Sequence, residues 1–185
     1  GSSFFIPALL SSTPTQWVVL DSDSYGSSGT DENATLTSST IDLSLQAGTP
    51  LKLEFEQFFA EWEQGANFDS LFIGVSDDAG ATWDEMVIMD GVGREGRPNP
   101  ELVSLNITPY VVDYSQIQIR FRWYGNWAYG WQLDNVSIAE LPQNDMTVNT
   151  VFRGDLVNSI MYSKVPDEQA TEFVIGADVK NIGFQ

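Results

Sequence analysis

The chain contains no cysteine and no histidine. Without cysteine there is neither a disulfide framework nor a thiolate zinc site, so the fold has no covalent staples to rely on. Without histidine, Ser-His and Cys-His nucleophilic catalysis, the HExxH zinc motif and the commonest transition-metal ligand all drop out together. Basic residues are scarce as well: 8 Lys and Arg stand against 26 Asp and Glu, a formal charge of -18. Such a balance repels phosphate backbones and anionic headgroups, which argues against nucleic acid as a partner. It suits a hard cation such as Ca2+, which takes carboxylate and carbonyl oxygens, and it equally serves solubility. Long apolar runs are also missing. Nothing approaches the roughly 20 residues of a membrane-spanning helix, and the stretch from Phe4 to Leu10 is short and contains Pro7, so no membrane insertion is expected.

What is present is enough for a real core, with 42% apolar and 12% aromatic residues in 185, which fits one large domain or one domain plus a fragment. In Ile117, Ile119, Phe121 and Trp123 the apolar residues fall on every second position, with Gln118, Arg120 and Arg122 between them. That is the period of a half-buried strand. Leu133, Val136 and Ile138 read as the strand that follows, and Asp134 near its start asks for a partner: a metal ion, a cluster of backbone groups, or water. Leu51, Leu53 and Phe55 alternate with Lys52, Glu54 and Glu56 until Phe58 and Phe59 break the phase, which predicts a bulge or the end of that strand. Further strand-length runs lie at Gln16 to Leu20, Asp69 to Val75, Met86 to Met89 and Leu102 to Ile107. Asp77 to Gly80 reads as a turn. A short helical turn is expected at Thr108 to Asp113, with Asn106 or Thr108 as cap and Pro109 at a first helical position. Many short strands with no long helical period between them predict an antiparallel β-sandwich.

Two stretches read as loops with more than a connecting role, Asp21 to Thr40 and Met89 to Pro100, because binding tends to reside on long loops carried by a rigid scaffold. From Glu140 to Asp145 the texture is that of an exposed linker. The strand-like runs beyond it, Met146 to Val151 and Thr171 to Val179, are too little for an independent sandwich. The expected organisation is therefore a first domain over residues 4–140 and, over 145–185, the truncated start of a second β domain.

Several segments carry a family likeness when taken in order. They are Trp17 before Asp21-Ser22-Asp23, Ile41-Asp42-Leu43, Asp69-Ser70-Leu71, the run Val75 to Trp83 (VSDDAGATW) and the run Gly130 to Ile138 (GWQLDNVSI). Together they resemble the MAM-like jelly-roll modules of secreted Bacteroidetes proteins, of the cleaved-adhesin and choice-of-anchor J type, over about residues 15 to 139. The tail, through Asp178 to Gly183, is similar to the start of an Ig-like domain. The resemblance implies an antiparallel jelly roll followed by a partial Ig-like segment. It also implies an extracellular or cell-surface location, a non-catalytic adhesin or carbohydrate-binding role within a longer chain, and a structural Ca2+. Where family members often carry a D-x-D-G-D-G loop, this chain has Asp21-Ser22-Asp23-Ser24-Tyr25-Gly26, with fewer carboxylates.

On this footing the metal candidates are Asp21, Asp23 and Asp134, with Asp69 added from its motif. A loop entering the sandwich and the head of its last strand would have to converge to supply the oxygens Ca2+ needs. The competing reading has Asp21 and Asp23 closing Asx turns and Asp134 accepting backbone N–H groups. Trp62, Trp127 and Tyr129 sit in polar or glycine-containing segments where flat rings can stack on sugars, whereas Trp17, Trp83, Trp123 and Trp131 read as packing residues. Arg94 and Arg97 are either a grip for a carboxylate ligand or partners of surface acids. The expected partners are a glycan or an extracellular protein, and flanking domains of the same chain. A spacer attached to a secreted hydrolase is the rival. A jelly-roll glycosidase using acids such as Glu54, Glu56, Glu61 and Glu63 is a further alternative, although Glu54 and Glu56 read more simply as the solvent face of their strand.

Overall fold

The structure, a computed structural model, describes residues 7–13, 16–26, 30–60, 69–90, 98–127, 129–153, 175–181 and 183. The chain divides into two compact units, residues 1–141 and 142–185. The first holds β1 (Val18–Asp21), the single helical turn α1 (Ser22–Tyr25), β2 (Glu32–Thr37), β3 (Leu51–Ala60), β4 (Ser70–Ser76), β5 (Asp84–Asp90), β6 (Glu101–Asn106), β7 (Gln118–Gly125) and β8 (Gly130–Glu140). The second contributes β9 (Met146–Arg153) and β10 (Ile175–Asn181), an antiparallel pair.

The eight strands of the first unit form two four-stranded antiparallel sheets in the orders β1-β8-β3-β6 and β2-β7-β4-β5. Strand neighbours in sequence (1 and 2, 3 and 4, 5 and 6, 7 and 8) always lie in opposite sheets at matching positions. That wrapping is the eight-stranded jelly roll. The alternation read in the sequence sets the inner faces: Ile119, Phe121 and Trp123 of β7 are buried, as are Leu71, Ile73 and Val75 of β4 and Leu51, Leu53, Phe55 and Phe59 of β3. Their rings meet edge-on across the sandwich, Phe55 on Phe121 at 5.2 Å and Phe59 on Trp123 at 5.6 Å between centroids. Such pairs contribute beyond the area they bury.

The outer face of the second sheet is covered by its own side chains. Arg120 lies over the Trp83 ring at 4.2 Å and Arg122 over Phe72 at 3.8 Å, while Glu85 bridges both guanidiniums at 2.7 and 2.8 Å. Arginine planes suit this double use, stacking by their faces and hydrogen-bonding by their edges.

Three expectations needed correction. The stretch Asp21 to Thr40 is not one loop: it contains α1 and all of β2, whose polar sequence ENATLT is held by pairing with β7 from Glu32↔Gly125 to Thr37↔Arg120. The phase break at Phe58 is neither a bulge in β3 nor its end, since β3 runs unbroken to Ala60. Gln57 takes the inward position, donated to by the Trp131 indole at 2.9 Å, and Phe58 packs outward beneath Leu9. The helical turn expected at Thr108 to Asp113 is a 3-10 turn confined to Thr108–Tyr110; its N-cap is Ile107, with no side-chain cap bond, not Asn106 or Thr108, and Asn106 closes an Asx turn just before it, its Oδ1 accepting the Thr108 N–H at 3.0 Å.

The bulge lies on β8 instead. Between the pairs Glu54↔Ser137 and Glu56↔Asp134, β3 advances two residues and β8 three. The extra residue is taken up at Asn135, whose φ of 52° is left-handed, a conformation Asn tolerates better than most residues. Over this bulge runs the segment before β1, and the Asn135 side chain holds it there. Its amide donates to Ser11 Oγ at 3.0 Å, to Ser12 Oγ at 3.1 Å and to Glu56 Oε2 at 3.0 Å, and its Oδ1 accepts from Thr13 Oγ1 at 2.6 Å. Glu56 is buried at 8% exposure beneath this strap and accepts the Ser12 N–H at 2.8 Å, so it is not part of an open solvent face. Those bonds, the one from the Ser12 hydroxyl foremost, hold its carboxyl below the usual range.

Candidate functional site

At one end of the sandwich α1, the head of β2, the residue before β4 and the β7–β8 connection come together. The register sets this: Asp21 pairs with Gly130 and Glu32 with Gly125. Asp21 caps α1, its Oδ1 accepting the Ser24 N–H at 2.9 Å three residues on, N-cap geometry in place of the expected Asx turn. The Asp23 N–H donates to the Tyr129 carbonyl at 3.3 Å and so joins α1 to the β7–β8 connection. Glu32 ties the same pieces a second time, its Oε1 accepting the Ser22 hydroxyl at 2.8 Å and the Trp127 N–H at 3.2 Å. Asp69 is buried directly under Gly125, where a Cβ would overlap its carboxyl oxygen, and it accepts the Asn126 N–H at 3.0 Å.

These bonds fix an unusual turn. Trp127 has φ of 50°, a left-handed conformation that a bulky residue adopts only when its surroundings impose it. Its ring is 42% exposed, and Tyr25 at the end of α1 is more exposed still. Tyr129 differs from both, being half-buried against Leu9, Phe58 and Ala60. Trp62, Glu61, Glu63, Arg94 and Arg97 lie outside the described residues.

The four acids proposed from sequence are thus not gathered in one place. Asp21, Asp23 and Asp69 belong to this end, whereas Asp134 is the fifth residue of β8, not its head. Four positions separate it from Gly130, the partner of Asp21, or about 13 Å along the strand. Its Oδ1 accepts the Asn135 N–H at 2.8 Å inside the bulge. Among the described residues no group of three or more His, Cys, Asp or Glu is placed to hold a metal ion.

Asp42, Glu56, Asp78, Glu85 and Asp113 are all held below the usual carboxylate range by hydrogen bonds, from Ser44, Ser12, Thr82, Arg122 and Ser115 respectively. A general acid needs the opposite shift. Glu54, named as a candidate, is paired with Lys52 at 2.8 Å.

Sequence reasoning singled out Trp127 and the acids of the first loop but missed Glu32 and Tyr25. Glu32 opens a polar strand and binds residues 10 and 95 positions away, so no local pattern marks it. Tyr25 carried a signal, an aromatic residue before a glycine inside a Ser/Asp-rich stretch.

Neither the protein-family models nor the curated proteins contain a match to this chain. Among the described residues, no helix is long and apolar enough to cross a membrane. Fold and site together define an antiparallel β-sandwich of jelly-roll topology with an aromatic and acidic loop end.

Proposed function

We propose that the first unit is a non-catalytic attachment module that binds glycan at the loop end of the sandwich. The observation that carries this reading is Trp127, half-exposed on a left-handed backbone that Glu32 holds in place. Strain imposed on an exposed ring fits a residue preorganised for a ligand. The ring offers an apolar face for stacking on a sugar. Asp21, Asp23, Asp31 and Glu32 nearby in sequence and register offer acceptors for its hydroxyls. The lack of histidine and cysteine and the lowered carboxyl groups support a module without catalysis. The likeness to MAM-like adhesin modules supports a place in a secreted or cell-surface multidomain bacterial protein.

A glycan array probed with the labelled full chain tests this. The expected result is reproducible selection of one sugar family, with Trp127→Ala costing about 2 kcal/mol, the size of loss seen at an aromatic anchor. Reproducible binding to nothing on the array would replace this reading by that of a domain-orienting spacer. Full affinity in a folded Trp127→Ala variant would move the site elsewhere.

A further inference from the structure

On the flank of the sandwich between β1 and β2, whose Asp21 and Glu32 ends reach the loop end, the two sheets do not close among the described residues. β1 and β2 are the outer strands of their sheets on the same side, and among the described residues each is paired on one edge only, β1 with β8 and β2 with β7. Between them lies an apolar groove of about 270 Å3, walled by Val18, Leu20, Ala34, Leu36 and the rings of Phe121 and Trp123. The register makes Val18 and Leu36 inward residues, opposite the buried Leu133 and Phe121. Yet they remain 49% and 44% exposed. A sandwich that closed over them would bury both, so the opening leaves core-facing side chains in water.

Open strand edges beside apolar side chains are what an added strand recognises: main-chain groups give affinity, and pockets for alternate side chains give selectivity. Natural edges usually carry charge, proline or a bulge as protection. The middle of β1 and β2, Val18-Val19-Leu20 and Ala34-Thr35-Leu36, carries none of these. The charges lie at one end, where Asp21 terminates β1 and Asp31 and Glu32 open β2, and the opposite end at Gln16, Thr37 and Ser38 is uncharged. The groove therefore has a direction. In addition Trp123, a wall residue that is wholly buried, has an indole N–H with no partner among the described residues.

We infer that this groove takes an extended strand of another protein, four to six residues long to match β1 and β2, with alternating apolar side chains and a basic residue at the end that lies over Asp21 and Glu32. The partner is a heterologous one because a second copy brings its own charge of -18 to the same contact, and like charge opposes that association. The inference shares Asp21 and Glu32 with the glycan reading but makes no use of the Trp127 ring.

Fluorescence polarisation with the full chain tests it, using a labelled ten-residue peptide that alternates valine with threonine and opens with two lysines. The expected result is saturable binding. A peptide opening with two glutamates should bind at least about tenfold more weakly, as should the basic peptide to Leu36→Lys. Because Leu36 is half-exposed, that variant should melt within a few degrees of the parent, and Val112→Lys, a substitution at a well-exposed residue, serves as a control that should bind normally. Hydrogen exchange should slow in β1 or β2 on binding and not at Trp127. No binding of the basic peptide, equal binding of the glutamate peptide, or unchanged binding to Leu36→Lys each overturns the proposal. Concentration-dependent dimers that Leu36→Lys abolishes would identify a second copy as the occupant and overturn it too. Trp127→Ala should leave peptide binding unchanged, so a failure here and a failure on the glycan array remain distinguishable.

Discussion

Asn135 combines two costs that ordinary substitutions cannot separate, and the pair Asn135→Gly and Asn135→Ala separates them. Glycine removes the side chain but keeps the left-handed bulge free of strain, whereas alanine removes the same hydrogen bonds and retains a Cβ at φ of 52°. The amide has two protons shared among three acceptors, and its oxygen takes one hydroxyl, so between two and three independent bonds are lost in either variant. At about 1 kcal/mol net for each bond, the lost bonds alone should destabilise the glycine variant by about 2–3 kcal/mol. Alanine adds strain of about 1–2 kcal/mol, offset by the 0.5–1 kcal/mol or so of unfolded-chain entropy that glycine loses and alanine does not. The alanine variant should therefore be the less stable of the two by about 0.5–1 kcal/mol. This reverses the usual order of alanine and glycine inside a strand.

Guanidinium denaturation followed by tryptophan fluorescence measures both, since a change of midpoint at constant slope reports stability alone. Hydrogen exchange of the Ser12 amide, which Glu56 accepts at 2.8 Å, reports whether the strap itself has loosened. An alanine variant as stable as the glycine variant would refute the strain argument. A glycine variant as stable as the parent would refute the claim that Asn135 holds the strap.

Two further outcomes follow from contacts of the same kind. Gly125→Ala places a methyl group against the buried Asp69 carboxyl and should cost about 2–3 kcal/mol by denaturation, as expected when a buried acceptor is pushed off its donor; with Asp69→Ala the two losses should be less than additive, because Asp69→Ala removes both the clash that the alanine creates and the bond to Asn126 that it breaks. On acidification, Glu56 and Asp78 both have folded pKa values below their unfolded ones, Asp78 lowered to about 2 chiefly by the Thr82 hydroxyl, so the stability they contribute is present above the ordinary carboxylate range and is lost as protons bind. The denaturation midpoint should stay flat above pH 5 and fall between about pH 4.5 and 2, and the gap between the parent and Asp78→Asn should close as pH approaches 2, a gap constant with pH counting against the linkage.

How much of this was legible depended on whether the cause was local. The alternation of β7 and the first half of β3 is written in period two, and with it the sandwich, because each apolar set needs an opposing layer. β2 was invisible, since only Ala34 and Leu36 in it are apolar and its pairing partner lies some ninety positions further on in β7. Phe58 broke the pattern for a reason that no window around it contains, the arrival of Leu9 on the outer face. Asp134 looked like the head of a strand because the preceding residues are aromatic and glycine-rich. Only the register shows that β8 starts earlier, at Gly130, and that Asp134 stands beside a bulge.

The two segments that carried the family likeness most specifically are both accounted for by structure, which bears on where function lies. In the run Val75 to Trp83, Asp78 Oδ1 accepts the Ser76 hydroxyl at 2.7 Å and the Thr82 N–H at 2.9 Å. Ala79 and Gly80 take left-handed φ of 57° and 88°, and the Trp83 indole donates to the Gly80 carbonyl at 3.1 Å before its ring meets Arg120. Every polar residue type in that turn has a partner that its geometry demands. In the run Gly130 to Ile138, Trp131 is bonded to Gln57 and Asn135 to the strap. A motif whose polar groups are consumed by its own fold has few left for a ligand. Among the described residues, the exposed side chains of Trp127 and Tyr25 and the core-facing but half-exposed Val18 and Leu36 all lie outside both motifs. Exposed apolar side chains of this kind are where a partner has something to recognise.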